Sequence, residues 1–164
     1  ETIKIEEELK LSKWKGINLE TVIKDAIEAN IEIYKKTEDL KAKEKTMEIT
    51  EKYYGDGNST YNGNKSSLEL ARIELEDAKI SLEVEIRNKY NDLLTSKDNV
   101  ELASKWQDIQ KKKLKNVELK FENGLVSKEA LLNEKEKYLD AEYQTFTAIH
   151  DFNILKAEFE ALCK

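Results

Sequence analysis

Apolar residues recur along this chain at intervals of three, four and seven, the period of helices rather than of strands. In the first clear segment Leu19, Ala26, Ile33, Leu40, Met47 and Tyr54 stand seven apart. Ile23 fills one place in the intervening row, whereas Asn30, Thr37, Glu44 and Glu51 hold the others. The pattern predicts a helix over 19–54 with one half of its seam polar, a weak coiled coil by itself that needs other helices beside it. Asn18 is placed to cap its start, and Ile17 and Val22 bracket that cap as a hydrophobic staple. Before it, Thr2-Ile3-Lys4-Ile5 suits an extended piece and Glu6-Glu7-Glu8-Leu9-Lys10 a short helix, so residues 1–16 are left unassigned.

A capping box, Ser66-Ser67-Leu68-Glu69, predicts the start of a second helix that runs without a breaker over 67–121. Its roughly 55 residues would span about 80 Å. Leu68, Ala71, Leu75, Ala78, Leu82, Ile86, Tyr90 and Leu93 form one stripe along it, and Ile73, Ile80 and Val84 a second. Two stripes call for neighbours on two sides. A third helix is predicted over 128–162. There Ala141, Ala148, Leu155 and Leu162 repeat at seven beside a row of Leu131, Tyr138, Thr145, Phe152 and Phe159. Small residues in one row and large ones in the other suit interdigitation with a neighbouring helix.

The two connections differ in chemistry. Residues 55–64, Gly-Asp-Gly-Asn-Ser-Thr-Tyr-Asn-Gly-Asn, are dense in turn formers and predict a flexible loop. Asp56, Asn58, Thr60 and Asn62 alternate as a calcium loop begins, but Tyr61 stands where its glycine is required and Ser67 where its glutamate is. Asn58-Ser59-Thr60 and Asn64-Lys65-Ser66 match the glycosylation sequon, a frequent chance match in such loops. The second connection is much tighter. Asn123-Gly124 is a helix stop, because glycine closes the last turn in the left-handed conformation, and Ser127 is a helix start. So short a link forces the flanking helices into an antiparallel hairpin.

These elements predict an all-α fold: an elongated antiparallel helical hairpin or coiled-coil bundle. One long central helix would be flanked by two shorter helices stacked end to end. Little of the long helix could be fully buried in a single copy, which points to self-association.

Composition agrees with long helices. The chain has 164 residues, no proline, 5 glycines and 38% charged residues. A net charge of −6 argues against general nucleic-acid binding. The one basic cluster, Lys111-Lys112-Lys113-Leu114-Lys115, reads as a solvated face near a helix end, with an anionic partner surface as the alternative. Cys163 is the sole cysteine, so no intrachain disulfide forms. No apolar run approaches the roughly 18–20 residues that span a bilayer. No signal peptide is visible, and the chain opens on Glu1 rather than Met, as it would either after removal of an export signal or in a trimmed chain.

Candidate chemistry is sparse. No metal cluster, nucleophile–base pair or phosphate loop appears, and no cofactor is implied. The only histidine, His150, lies beside Asp151 on a helical pattern and reads as a surface residue. Abundant carboxylates without a desolvating site do not make acid–base catalysts. The sequence therefore reads as a non-enzyme. Trp14 and Trp106 read as packing residues; Tyr53, Tyr54 and Tyr61 read as local packing or a small contact patch.

Several stretches together resemble a known family. Residues 17–30, Ile-Asn-Leu-Glu-Thr-Val-Ile-Lys-Asp-Ala-Ile-Glu-Ala-Asn, look like the opening helix of a repeat in the TolC-type outer membrane efflux proteins. Residues 70–78, Leu-Ala-Arg-Ile-Glu-Leu-Glu-Asp-Ala, continue the likeness. Glu85-Ile86-Arg87 with Tyr90 and Leu93 is similar to the family's Glu-Val-Arg-x-Ala-Tyr-x-x-Leu stretch. Residues 121–132 resemble its aromatic-x-x-Gly-x-x-Ser/Thr tip, and residues 151–160 its closing Asp-Tyr-Asn stretch. The resemblance implies an exported envelope protein, whose partners would be further copies or an envelope adaptor. It also places Gly124, Leu125, Val126 and Ser127 at the partner-binding hairpin tip. Only one repeat is present, and residues 55–64 leave no room for a pair of membrane strands of about 9–11 residues each. The alternative is a barrel-less structural or interaction coiled-coil protein with no channel role.

Overall fold

The computed structural model describes residues 16–163, so the readings for the first fifteen residues and for Trp14 fall outside it. The described residues form an all-α structure without strands, with helices in the order α1 (Leu19–Ala29), α2 (Ile31–Tyr53), α3 (Ser59–Glu122) and α4 (Lys128–Leu162). Among them no helix is long and apolar enough to cross a membrane.

The predicted first helix is two helices. Asn18 caps α1 as expected, its side chain accepting from the Thr21 N–H at 3.3 Å. At Asn30 the backbone turns extended (φ −71°, ψ 119°) and the side chain accepts from the Ile33 N–H at 3.0 Å. Asparagine competes with the helix for its own backbone partners, and here that competition starts a new helix inside an otherwise continuous pattern. The start of α3 also differs from expectation. Asn58 caps it, accepting from the Thr60 N–H at 2.8 Å, so the helix begins eight residues before the capping box at Ser66-Ser67. Most of the expected flexible loop is thus helix, and Asn58, Thr60 and Asn62 fall on a helical start rather than along a calcium loop.

The chain divides into two compact units. One comprises residues 16–88 with the last residues of α4; the other comprises residues 89–159. In the first, α1 and α2 run antiparallel to the opening half of α3. Glu20 pairs with Arg87 at 2.8 Å, Lys36 with Glu74 at 3.9 Å, Glu44 with Arg72 at 3.3 Å, and Thr50 accepts from Asn64 at 2.7 Å. Numbers rise along one strand of this series as they fall along the other, which fixes the direction. Its core holds Ile23, Ala26, Ile33 and Met47 against Leu68, Ala71, Leu75, Leu82 and Ile86, all buried. The seven-spaced row from Leu19 to Met47 and the first stripe of α3 as far as Ile86 therefore face inward, whereas Tyr54, the last member of the row, is exposed.

The second unit is a helical hairpin. Lys89 pairs with Glu158 at 2.7 Å, and the rings of Tyr90 and Phe159 lie 5.9 Å apart. Further along, Ser96 and Asn99 line one groove with Ala148 and Asp151. The seam combines both rows foreseen in α4: Ala141, Thr145, Phe152 and Phe159 are buried and Tyr138, Ala148 and Leu155 half-buried. Opposite them Leu93, Ser96, Val100 and Gln110 are buried on α3. Burying a phenylalanine contributes about 1.5–3 kcal/mol, so Phe152, fully buried, is a principal anchor of this hairpin.

Candidate functional site: the hairpin tip

The turn between α3 and α4 is built from its backbone. After Glu122 the chain passes through Asn123 into Gly124, whose φ of 68° is left-handed. The Leu125 N–H donates to the Lys120 carbonyl at 2.8 Å, and the Gly124 N–H to the Phe121 carbonyl at 2.9 Å. This pair of bonds, one spanning six residues and one nested within it, is the Schellman closure, and it satisfies carbonyls the helix end would leave open. Asn123 adds a side-chain bond, Nδ2 donating to the Leu119 carbonyl at 2.6 Å. Ser127 then caps α4, its hydroxyl accepting from the Ala130 N–H at 3.1 Å. Lys120 in the last turn of α3 and Glu129 in the first turn of α4 both complement the helix dipoles.

The four tip residues named from the sequence thus form one continuous turn. Gly124 supplies the conformation and Ser127 the restart. Leu125 stands 73% exposed, with no role in closing the turn beyond its N–H, whereas Val126 is half-buried. Leu119, Phe121 and Leu132 near the turn are also exposed, widening the apolar patch. Leu119 was not singled out from the sequence. Its signal is its place off the seam rows, where an apolar residue on a solvated face needs a reason.

The other candidates lie elsewhere. Trp106 is 45% exposed, with the Lys113 ammonium 5.5 Å from its ring. Tyr53 and Tyr54 are exposed. Tyr61 is half-buried, and hydrogen bonding and charge from the nearby Asp56 carboxylate hold its phenol above the usual range. His150 and Asp151 lie 3.5 Å apart on an exposed surface. Burial pushes the Cys163 thiol up, away from the thiolate form that reacts. Among the described residues no three histidine, cysteine or acidic side chains converge as a metal site would need.

No protein-family model matches the chain, and neither a curated protein nor a solved structure does.

Proposed function

We propose that this chain is the helical module of a TolC-like efflux or secretion-type envelope protein, exported from the cytoplasm, that docks through its hairpin tip. The occupant of the tip is an envelope adaptor or a further copy of the chain. In this reading α3 is the long helix, packed against α1 and α2 in one unit and against α4 in the other. The observation that carries the reading is the exposed Leu125 on a turn whose backbone bonds are already complete. A rigid turn that holds an apolar side chain in water has little to gain for folding, and such a knob suits a partner's pocket. The stretch 17–30 that resembles the family's opening helix coincides with α1 and its two asparagine caps, which also favours the reading.

One observation favours the second reading, a structural or interaction protein without a channel role. The connection between α2 and α3 is five residues, 54–58, where the family places its membrane strands. That length holds no spanning strand of about 9–11 residues.

A photo-crosslinking residue at position 125, in cells that make the protein, tests the tip. The expected outcome is one dominant adduct, lost when Val126→Asp is added, with helicity retained by circular dichroism. An adduct at twice the chain mass assigns the tip to a second copy; another single mass assigns it to an adaptor. No adduct, or the same adducts from a probe at Lys79, would overturn the assignment.

A further inference from the structure

We propose that Asn123-Gly124 is a latent site of self-modification: the closed tip preserves the Asn123 amide, and an opened tip lets it convert to an acid that keeps the turn from closing as before. An asparagine followed by glycine is the pair most open to this reaction, because the second residue has no Cβ to block its backbone nitrogen from the first residue's side chain. The chain holds two such pairs, Asn62-Gly63 and Asn123-Gly124, and only their surroundings tell them apart.

The reaction needs water alone. The Gly124 N–H gives its proton to solvent, and its nitrogen attacks Cγ, the side-chain carbonyl carbon of Asn123. A new C–N bond forms, the Cγ–Nδ2 bond breaks, and Nδ2 leaves as ammonia after regaining a proton. Water then opens the five-membered imide at either carbonyl. One opening leaves an aspartate; the other leaves its isomer, in which the main chain runs on through Cγ. The sum is one water consumed and one ammonia released, with no oxidant or reductant.

The closed tip withholds both reacting groups. The Gly124 N–H is donated to the Phe121 carbonyl at 2.9 Å, so the proton that must leave is held. The Asn123 side chain is drawn back along α3, its Nδ2 donating to the Leu119 carbonyl at 2.6 Å, which turns Cγ away from the nitrogen that would attack it. The Leu125 N–H, bonded to the Lys120 carbonyl at 2.8 Å, fixes the backbone beyond Gly124. Asn123 and Gly124 are both exposed, so water reaches the pair as soon as these bonds part. At Asn62-Gly63 the restraint is of another kind. Both residues lie within α3, and the Asn62 N–H bonds to the Asn58 carbonyl at 3.0 Å. That pair is released by unwinding the start of the helix, not by events at the tip.

The products do not fit the closure. An aspartate in place of Asn123 loses the donor to Leu119 and sets a carboxylate at the negative end of the α3 dipole. The isomer adds a carbon to the main chain ahead of Gly124, so the nested bonds from Gly124 and Leu125 lose their spacing. A transient opening is thereby made permanent.

Mass spectrometry of the full chain aged in neutral buffer tests this. The peptide 121–128, cut after Lys120 and Lys128, reads acid at position 123, and the peptide 53–65 reports Asn62 in the same sample. Acid at 123 is expected to form many-fold more slowly in the native chain than in the chain unfolded in urea. Leu125→Pro removes the outer bond of the closure and leaves the Asn-Gly pair intact. It should raise the native rate at 123 several-fold while the rate at Asn62 stays the same. Asn123→Asp should speed amide exchange at Leu125 with helicity retained. A native rate at 123 equal to the unfolded one, no response to Leu125→Pro, or unaltered exchange in Asn123→Asp would overturn the inference. The chemistry needs no partner at the tip, so loss of the docking reading leaves these readouts unaffected.

Discussion

Two connections among the described residues have the same length and are fastened differently. Between α2 and α3 lie residues 54–58, and between α3 and α4 residues 123–127. Each contains a glycine with positive φ, Gly57 at 88° and Gly124 at 68°. The first has one backbone turn bond, from the Asn58 N–H to the Gly55 carbonyl at 3.2 Å, and is tied across its two helices by a side chain, Asn64 donating to the Thr50 hydroxyl at 2.7 Å. The second is closed chiefly by backbone, through the nested bonds from Gly124 and Leu125, with Asn123 and Ser127 adding side-chain bonds only to the helix each adjoins. Five residues suffice to reverse a helix either way. Closing with backbone releases the side chains of the turn, and the released one here is a leucine in water.

That contrast can be strained most severely from behind the tip. Phe152→Ala removes the fully buried ring of the second unit and is expected to cost about 3–5 kcal/mol, read as a drop in the urea midpoint. The tip bonds are local, so helicity around the turn should outlast the loss of the seam. Next, Gly124→Ala is expected to cost about 1–2 kcal/mol, since an alanine at φ 68° is strained although nothing crowds its Cβ. Because Gly124 donates the inner bond of the closure, the change should also loosen the end of α3, seen as faster amide exchange at Leu125. Smallest, Thr50→Val removes the acceptor of the Asn64 bond. The half-buried Asn64 amide can turn to water, so about 0.5–1.5 kcal/mol is expected in thermal unfolding. If Thr50→Val cost more than Gly124→Ala, the backbone-closed turn would not be the stiffer of the two.

Much of the helical content could be read from periodicity, because a seam repeats and so corrects itself. The row Ala141, Ala148, Leu155 with Thr145, Phe152, Phe159 needed no knowledge of the partner helix, and every member is buried or half-buried. The tip was legible for another reason: glycine after asparagine and a serine three further on each do one local job. What could not be read was competition between local signals. Ser66-Ser67-Leu68-Glu69 is a sound cap by itself, yet Asn58 caps earlier, and Gly63 and the two serines are carried as helix once Asn64 is held by Thr50. At Asn30 the seam pattern continues unbroken on both sides, so only the backbone reveals the interruption. The outward stripes failed differently. Sequence shows that Ile73, Ile80 and Val84 form a row, but whether a row meets a neighbour or water depends on the other helices, and here they are 50–57% exposed.

The interruption at Asn30 sets α1 apart in time as well as in space. An isolated helix of eleven residues is too short to persist in water, and α1 holds its place through Ile23, Ala26 and the Glu20–Arg87 pair. Its hydrogen-bond ladder ends where that of α2 begins, so opening one need not open the other. The segment 19–29 is thus a leaf with its own ladder, able to open by itself while the 31–53 segment stays shut.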